Sequence, residues 1–504
     1  METTNAAVSL LKRNIYLHPD KAAYFCGERS LSFRRLDMAA RRFALLLNRE
    51  GITPGERVMI LLPDTLEFPV AFLGCLLSGV MAVAAGADLN GEDLAYLIED
   101  SGARMVVTNG EHAAMPSIRN AKGISLVVCD DGGLPGDAAH GDDFKNPFRP
   151  SNDTLAYMLY SSGTTGRPKG VPHRHNSLLS PCELVGKGVL GINADDVIFS
   201  TSKLSFSYGL INSLAFPLYF GATALLHPDR PDPYAIMNII DRRSPSVFFS
   251  VPSIYARIIL HSPYVGRRLP MRLCCSAGEA LPASLFEEWH RFTGKEIIDG
   301  IGCTEMSYHF ICNAPGQAVA GSVGRLVPGY QARLVDENDN EVPPGNEGNL
   351  LIKGDTRAPF YWNRPEKSAG SMPADGFFRT GDMLVERDNL FFYRGRRDDM
   401  FKVDALWVSP VVVEDALRSH PAVADCAVVA VTVGPFLRPG AFVVLNHEKD
   451  EASGVAEELS AHLAATLPEH MRPVRFRFVK NLPRNASGKT LRSGLKEQEM
   501  ILDS

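Results

Sequence analysis

The stretch YSSGTTGRPKGV, residues 160–171, decides the fold prediction, because it is a polar loop that directly follows an apolar strand pattern, LAYMLY (155–160). Its glycines let backbone N–H groups come close to a ligand, and its hydroxyls add further hydrogen-bond donors. Such a nest of donors suits phosphate oxygens, and Lys169 adds a positive charge. The order GTTGRPK differs from the Walker A pattern GxxxxGK[ST]. A mobile surface loop is the alternative, which composition alone leaves open.

The composition is ordinary for a globular enzyme, with 504 residues of which 45% are hydrophobic and 22% charged. The net charge of −6 and the lack of a long basic run argue against nucleic acid as a partner. The nine cysteines form no CxxC pair, so we expect neither a zinc ribbon nor a disulfide framework. This pattern favours a reduced, cytoplasmic location. Neither end of the sequence carries a recognisable secretory or peroxisomal signal.

One apolar stretch imitates a membrane span. FPVAFLGCLLSGVMAVAAG (68–86) is uncharged and about long enough to cross a bilayer. Pro69, Gly74 and Gly79 interrupt it, and VMAVA after Gly79 is typical of a buried strand. We therefore predict a helix followed by a core strand, and no membrane partner.

Strand and helix patterns alternate along most of the chain, which predicts an α/β fold. We expect a large N-terminal domain (1–396) of βαβ-type sheets, with a β-rich subdomain from about residue 321, where NDN and PPGN mark hairpin turns. The charged segment RRDD (396–399) is the natural joint. Residues 397–504 again mix helix and strand patterns and predict a small, mobile α+β domain.

Three further turns carry polar groups suited to a nucleotide. They are GIGCTE (300–305), TGD (380–382) and NASGK (485–489). Together with the first loop they offer phosphate donors, a carboxylate for Mg²⁺, an acceptor for ribose hydroxyls and a remote cation. Each turn alone is more often an ordinary solvated turn.

These motifs, in their order, resemble the adenylate-forming superfamily of acyl-CoA synthetases, adenylation domains and luciferases. The resemblance covers residues from about 20 to 495 and rests on YSSGTTGRPKG, SAGE (276–279), DGIGCTE (299–305), RTGD (379–382), GRRDD (395–399) and PRNASGK (483–489). KLSFSYGL (203–210), SAGEALP (276–282), YWNRPEKS (361–368), and DDMFKV with VSP (408–410) are most similar to benzoate–CoA ligases. The family joins a carboxylate to the α-phosphate of ATP, releases pyrophosphate, and in CoA ligases passes the acyl group to CoA.

The resemblance implies a role for each matching residue. Catalysis falls to Thr304 as a donor to the α-phosphate, Glu305 as a Mg²⁺ ligand with Thr164, and Lys489, which reaches both reacting groups. Asp398 matches the hinge on which the small domain turns. ATP binding is assigned to Ser161, Ser162, Gly163, Thr164, Thr165, Lys169, Ala277, Gly278, Glu279, Asp299, Gly300, Ile301, Asp382 and Arg396.

The acid pocket is expected between two of these motifs. Small residues leave space and tyrosines offer flat apolar walls, so an aromatic or bulky hydrophobic carboxylate fits better than acetate. For Tyr308 and His309 the alternative is ordinary core packing, and His309 need not act as a base because the acid is already ionised. The positions assigned to the acid are Lys203, Ser207, Tyr208, Gly209, Gly302, Tyr308 and His309.

The sequence departs from the family pattern after the hinge. Ala405 stands where a glycine usually lies against the CoA arm, and Asp404 adds a negative charge beside it. An added methyl and charge could obstruct the CoA tunnel. Three functions therefore stay open: a complete acyl-CoA ligase, an acyl-AMP ligase that serves a carrier protein or partner enzyme, and a nucleotide-binding protein without catalysis. A homodimer is compatible with the sequence.

Overall fold

The structure is a computed structural model that describes residues 4–129, 133, 144–161, 167–261, 269–404, 406–434, 436–446, 454–484, 490–492 and 494–495. The predicted site residues Ser162, Gly163, Thr164, Thr165, Ala405 and Lys489 lie outside the described residues.

Helices and strands alternate through the first three hundred residues, as predicted. The helices are α1 Ala6–Leu17, α2 Phe33–Arg49, α3 Glu67–Ser78, α4 Gly91–Ser101, α5 Gly110–Ala113, α6 Pro116–Arg119, α7 Asn176–Pro181, α8 Ser207–Leu210, α9 Phe216–Phe220, α10 Pro233–Arg243, α11 Pro252–His261, α12 Ala283–Thr293, α13 Pro365–Ser371, α14 Pro410–Arg418 and α15 Val455–Thr466. The strands are β1 Ala22–Cys26, β2 Arg29–Ser32, β3 Arg57–Leu61, β4 Met81–Ala84, β5 Met105–Thr108, β6 Ser125–Val128, β7 Leu155–Ser161, β8 Lys169–Arg174, β9 Val197–Ser200, β10 Thr223–Leu226, β11 Val247–Ser250, β12 Leu273–Ser276, β13 Ile297–Gly302, β14 His309–Cys312, β15 Arg325–Leu326, β16 Gln331–Val335, β17 Glu347–Lys353, β18 Phe378–Arg387, β19 Leu390–Arg396, β20 Phe401–Val403, β21 Leu406–Val408, β22 Val423–Val433, β23 Phe436–Leu445 and β24 Arg475–Phe478.

Two mainly parallel sheets form the large domain. The first has the order β6-β5-β3-β4-β7-β8, with β8 antiparallel to β7. The second has the order β15-β14-β13-β12-β11-β9-β10-β1-β2, parallel from β13 to β1 and antiparallel at both edges. Buried side chains of both sheets, among them Tyr157 and Phe249, belong to one continuous apolar cluster. The α/β fold class is thereby confirmed.

The apolar stretch 68–86 is a buried helix and a core strand, as predicted. In α3 every side chain is buried, and Gly79 ends the helix in the left-handed conformation, with φ of 73°. A glycine takes this conformation without strain, so the chain can turn directly into β4. Among the described residues, no helix is both long and apolar enough to cross a membrane.

The β-rich subdomain is an antiparallel sheet, β16-β17-β18-β19. The NDN and PPGN turns both lie in the connection between β16 and β17, where Val335 also bridges Glu341. The chain therefore reverses direction here, as predicted. The pairing around the NDN turn is limited to the bridge between Val335 and Glu341.

The C-terminal part has the predicted α+β content, with its own apolar cluster around Val413, Val428 and Leu459. Strands β22-β23-β24 form its sheet, and β20-β21 form a hairpin directly after residues 397–399. Contacts between α12 and α14 place this part against the large domain.

Candidate active site

The phosphate-loop candidate is the turn of a β-hairpin. Ser161, at the end of β7, is the register partner of Lys169, at the start of β8. The hairpin therefore fixes both ends of the loop, although residues 162–166 lie outside the described part of the chain. The buried hydroxyl of Ser161 has no hydrogen-bond partner among the described residues.

Lys169, Glu305 and Tyr361 form a closed triangle beside this loop. The Lys169 ammonium lies 2.9 Å from Glu305 Oε1 and donates to Tyr361 Oη at 2.8 Å. Tyr361 in turn donates to Glu305 Oε1 at 2.8 Å. Burial alone would raise the pKa of Glu305, but the Lys169 charge and these hydrogen bonds outweigh it and hold the pKa below its usual value. Glu305 is thus a buried, ionised carboxylate.

Local structure directs the Glu305 side chain toward Lys169. Glu305 lies in a 3₁₀ turn with Thr304, directly after β13, and its carbonyl accepts from the Ala358 N–H at 2.7 Å. Tyr361 is held from the other side, because the next residue, Trp362, donates its N–H to the Gly170 carbonyl at 2.8 Å. The segment that carries Tyr361 is therefore tied to the strand that carries Lys169.

The Glu305 carboxylate fits the ligand chemistry of Mg²⁺. This ion is usually held by one or two carboxylates together with phosphate oxygens and water. Within the described ranges, no group of three or more metal-ligating side chains is present. Glu305 would therefore hold the ion together with the phosphates of a nucleotide.

Asp382 and Arg396 are paired on neighbouring strands. They are register partners in β18 and β19, and Arg396 Nε lies 3.1 Å from Asp382 Oδ1. Thr380 fixes the turn: its hydroxyl accepts from the Asp382 N–H at 3.0 Å, and its carbonyl accepts from Arg396 at 2.6 Å. The Asp382 charge raises the pKa of Arg396, and the pair stands where a ribose acceptor was predicted.

The predicted adenine site lies at the ends of two adjacent parallel strands, β12 and β13. Ala277, Gly278 and Glu279 follow β12, while Asp299, Gly300 and Ile301 lie within β13. Glu279 is fixed by α11, since its carboxylate accepts from the Ser253 N–H at 3.1 Å and hydroxyl at 3.0 Å. Burial raises the pKa of Asp299 well above its usual value.

Gly300 and Gly302 allow β14 to lie close against β13. A Cβ on Gly300 would be 2.8 Å from His309 Nδ1, and one on Gly302 would be 2.5 Å from the Tyr308 carbonyl oxygen. Both distances are too short for a side chain. The glycines therefore bring Tyr308 and His309 against the adenylate turn.

An aromatic cluster occupies the region predicted for the acid. The Tyr208 ring stacks on His309 at a centroid distance of 5.3 Å and on Tyr308 at 5.7 Å. Phe249 meets the Tyr208 ring edge-on, and Phe216 meets the Tyr308 ring edge-on. The Tyr308 hydroxyl donates to Asn212 Oδ1 at 2.6 Å, so Tyr308 is a satisfied core residue. His309 differs, because neither ring nitrogen has a partner among the described residues.

Lys203, Ser207 and Gly209 take different positions around this cluster. The Lys203 ammonium donates to the carbonyls of His227, at 2.6 Å, and Asp229, at 2.6 Å. The hydrogen bonds of the Lys203 ammonium are therefore made to the backbone of residues 227–229. Ser207 begins α8. Gly209 lets α8 start close to residue 203, since a Cβ would be 2.1 Å from the Lys203 carbonyl oxygen.

The segment that carries Lys489 is anchored on both sides, although Lys489 itself is not described. Arg484 bridges Thr490, so the two ends of the segment are paired. Arg484 also lies 2.6 Å from Asp425 and 3.8 Å from Glu279 of the large domain. On the other side, Arg492 binds Glu414 at 2.7 Å.

The hinge and tunnel candidates lie just before these contacts. Asp398 is exposed, in a 3₁₀ turn of residues 397–399. Asp404 lies in the turn between β20 and β21 with φ of 50°, and its carboxylate is 3.1 Å from Arg438. The negative charge predicted beside the CoA tunnel is therefore paired with a positive one.

Three residues that contact the predicted site residues were not singled out in the sequence: Tyr361, Asn212 and Arg484. Tyr361 and Arg484 belong to the quoted motifs YWNRPEKS and PRNASGK, which could have pointed to them. Asn212 offers no such signal, because it lies in a π-helical turn, Ile211–Ala215, that no residue pattern predicts.

Comparisons with known proteins identify the family of this chain. The model of the AMP-binding enzyme family matches residues 11–362, and that of the AMP-binding enzyme C-terminal domain matches residues 412–489. A benzoate–CoA ligase of Thauera aromatica is 37% identical, over 98% of this chain and 96% of the relative.

Two solved structures have the same fold over nearly their full length. The anthranilate CoA ligase AuaEII, in complex with anthranoyl-AMP, superposes with a TM-score of 0.94 at 34% identity, covering 100% of this chain and 98% of the other. A benzoate CoA ligase from Burkholderia xenovorans LB400 does so with a TM-score of 0.91 at 39% identity, covering 98% and 100%. The chain belongs to the AMP-binding enzyme family, within its adenylate-forming superfamily and nearest to the benzoate–CoA ligases.

Proposed function

We propose that the protein uses ATP to convert an aromatic carboxylic acid into its acyl adenylate, with release of pyrophosphate, and then transfers the acyl group to CoA. The observation that carries this proposal is the Lys169–Glu305–Tyr361 triangle, in which Glu305 is only three residues before Tyr308 of the aromatic cluster. The similar benzoate and anthranilate CoA ligases support the acid class and the thioester product.

The chemistry requires two anions, the acid and the triphosphate, to approach each other. Positioning and charge neutralisation must therefore supply most of the catalysis. Lys169 and the loop donors would hold the β- and γ-phosphates, Thr304 the α-phosphate, and Asp382 the ribose. Mg²⁺, bound through Glu305, would offset charge on the triphosphate. Lys489 would bridge the acid carboxylate and the α-phosphate once its domain closes.

The ion pair of Asp404 favours a complete ligase, which transfers the acyl group to CoA, over an acyl-AMP ligase. The Asp404 carboxylate is paired with Arg438 at 3.1 Å, so it brings little net charge to the tunnel. The Ala405 methyl remains as the feature that favours the second function, in which a carrier protein or partner enzyme accepts the acyl group. A cytoplasmic location and a homodimer remain predictions.

ATP–pyrophosphate exchange across a panel of carboxylic acids tests the first half-reaction. We expect exchange with aromatic acids and little with acetate. Exchange with no acid would favour a nucleotide-binding protein without catalysis, and so contradict the proposal.

The yield of acyl-CoA on the best acid separates a complete ligase from an acyl-AMP ligase. High yield with CoA is expected. If the yield is low and the Ala405→Gly variant raises it, the tunnel is obstructed and the acyl-AMP ligase is the better description.

A further inference from the structure

The C-terminal half of α4, which carries none of the sequence motifs, contacts both ends of the phosphate loop. On the entry side, the Tyr160 hydroxyl in β7 donates to Asp100 Oδ2 at 2.8 Å. On the exit side, the Tyr96 hydroxyl donates at 2.9 Å to the carbonyl of Pro168, the residue before Lys169. Tyr96 and Asp100 are four residues apart in α4, so they share one face of the helix. One helix face therefore holds the loop at its two ends.

Arg364 joins the two contacts into one network around the Asp100 carboxylate. Its guanidinium donates to the Tyr96 hydroxyl at 2.7 Å and lies 3.4 Å from Asp100 Oδ1. Each carboxylate oxygen thus has its own partner, Arg364 at Oδ1 and Tyr160 at Oδ2. The Asp100 side chain is only 6% exposed, so these bonds form in a setting with little water, where they are stronger than at the surface. Burial and the bond to Asp100 raise the pKa of Tyr160, so its hydroxyl remains a donor at neutral pH.

The backbone of Asp100 holds a third segment of the site. Its carbonyl accepts from Trp362 Nε1 and from Asn363 Nδ2, both at 2.9 Å. These two residues directly follow Tyr361, whose hydroxyl donates to Glu305. Asp100 therefore connects the loop entry, the loop exit and the segment that carries Tyr361, while its own side chain points to none of the predicted ATP-binding residues but acts through its neighbours.

We propose that Asp100 is a positioning residue for ATP, which acts through the network around its carboxylate to hold the phosphate loop ready for the triphosphate. The inference rests on the proposed function and adds to it a helix outside the sequence motifs. A glycine-rich loop loses much conformational entropy when it closes on a ligand. Because the network fixes both ends of the loop before ATP arrives, it removes part of this cost, and ATP affinity depends on it.

The Tyr160→Phe variant tests the entry contact, since it removes one hydroxyl and leaves the ring in place. We expect the KM for ATP in ATP–pyrophosphate exchange to rise about 10-fold, the scale of the entropy of one freed backbone residue. The KM for the acid should change little. A merely structural loss would lower the amount of folded enzyme, and with it the apparent kcat, but would leave both KM values unchanged.

The Tyr96→Phe variant tests the exit contact and should raise the KM for ATP in the same way. Tyr219→Phe is the matched control, because it removes another half-buried hydroxyl that donates to a carboxylate, that of Glu183. That pair lies between α9 and the π-helical turn Cys182–Lys187 rather than at the loop. The control should keep both KM values of the parent.

A double-mutant cycle shows whether Tyr160 acts through Asp100. If it does, Tyr160→Phe should raise the KM for ATP much less in an Asp100→Ala background than in the parent, whereas independent defects would add. Asp100→Asn keeps an oxygen acceptor for Tyr160 but removes the charge that faces Arg364, so its KM for ATP should lie between those of the parent and Asp100→Ala. If Asp100→Ala does not fold, the two tyrosine variants decide.

Calorimetry with ATP alone measures the same effect without the reaction and should show about 10-fold weaker binding to Tyr160→Phe. An unchanged KM for ATP in both tyrosine variants, or an equal rise in the Tyr219→Phe control, would overturn the positioning role and leave the proposed function standing. Additive effects in the cycle would contradict action through Asp100. Exchange by the parent with no aromatic acid would overturn the proposed function, and calorimetry would then decide the positioning role alone.

Discussion

At the scale of single residues, the Lys169–Glu305–Tyr361 triangle shows how a buried carboxylate stays ionised. Burial disfavours the charge, but an ammonium at 2.9 Å and a phenol at 2.8 Å compensate. In the proposed reaction, the Lys169 ammonium would turn to the phosphates of the nucleotide. Tyr361 is then the described partner that can keep Glu305 oriented.

We therefore expect the Tyr361→Phe substitution to weaken Mg²⁺ binding more than acid binding. A hydrogen bond to a charged group is worth about 1.5–3 kcal/mol, so the Mg²⁺ concentration for half-maximal exchange should rise about 10-fold or more. Titration of the exchange rate with Mg²⁺, together with Mg²⁺-dependent ATP affinity from calorimetry, measures this effect.

The matched control is Tyr255→Phe, which removes an equally buried hydroxyl that donates to the Cys275 carbonyl at 2.9 Å. This variant should lose some thermal stability but keep the Mg²⁺ dependence of the parent. An unchanged Mg²⁺ dependence in Tyr361→Phe would show that Tyr361 contributes to packing and does not orient Glu305.

At the scale of elements, glycines decide how closely the helices and strands of the site approach each other. Gly209 has backbone oxygens at 2.1 and 2.4 Å from the position of an added Cβ, so α8 cannot keep its place with any other residue there. This helix carries Tyr208 and leads into the turn with Asn212, so a shift at Gly209 moves the acid side of the site.

Gly209→Ala should therefore lower both thermal stability and exchange activity. Overpacking of this kind typically costs about 1–3 kcal/mol. Gly91→Ala is the matched control, at the first residue of α4, where nothing lies within 4 Å of an added Cβ. It should be neutral or stabilising by up to about 1 kcal/mol, because alanine is the better helix former. Similar melting temperatures for the two variants would contradict the steric argument.

The elements were predictable where side-chain periodicity is strong. Leu36, Ala40, Phe43 and Leu47 mark one buried face of α2, and the structure has this helix where the sequence predicts it. The π-helical turns at Cys182–Lys187 and Ile211–Ala215 could not be predicted, because no residue pattern distinguishes such a turn from an ordinary α-helical one. The pairing of β1 with β10 is equally invisible, since it joins segments about two hundred residues apart.

The candidate site was predictable in its motifs but not in its contacts. The glycine-rich turns and the motif order predict where the nucleotide and the acid lie, and the structure brings two of the motif residues, Lys169 and Glu305, into contact. They gave no hint that Lys203 is bound by backbone carbonyls or that Asp404 is paired with Arg438, because both contacts depend on tertiary structure.

At the scale of the whole molecule, Arg484 connects the two domains. It joins Asp425 of the small domain at 2.6 Å and Glu279 of the large domain at 3.8 Å, five residues before Lys489. The base of the lysine-bearing segment is thereby held against the predicted adenine site.

Arg484→Met should slow adenylation while leaving ATP affinity nearly unchanged, because it loosens the delivery of Lys489. Partly exposed ion pairs contribute about 0–1 kcal/mol each, so we expect a decrease of about 2- to 5-fold in the rate. Arg333→Met, which removes an ion pair with Glu341 in the β-rich subdomain, is the control and should keep the parental rate. An unchanged rate in Arg484→Met would exclude this role.

The most direct test of the account is a rapid-quench measurement of products from ATP, an aromatic acid and CoA, with the parent protein and the Lys489→Ala variant. We predict that the parent forms acyl-AMP and pyrophosphate first and acyl-CoA and AMP afterwards, while the variant binds ATP but forms almost no acyl-AMP. Release of ADP in place of AMP, or full acyl-AMP formation by Lys489→Ala, would contradict the account.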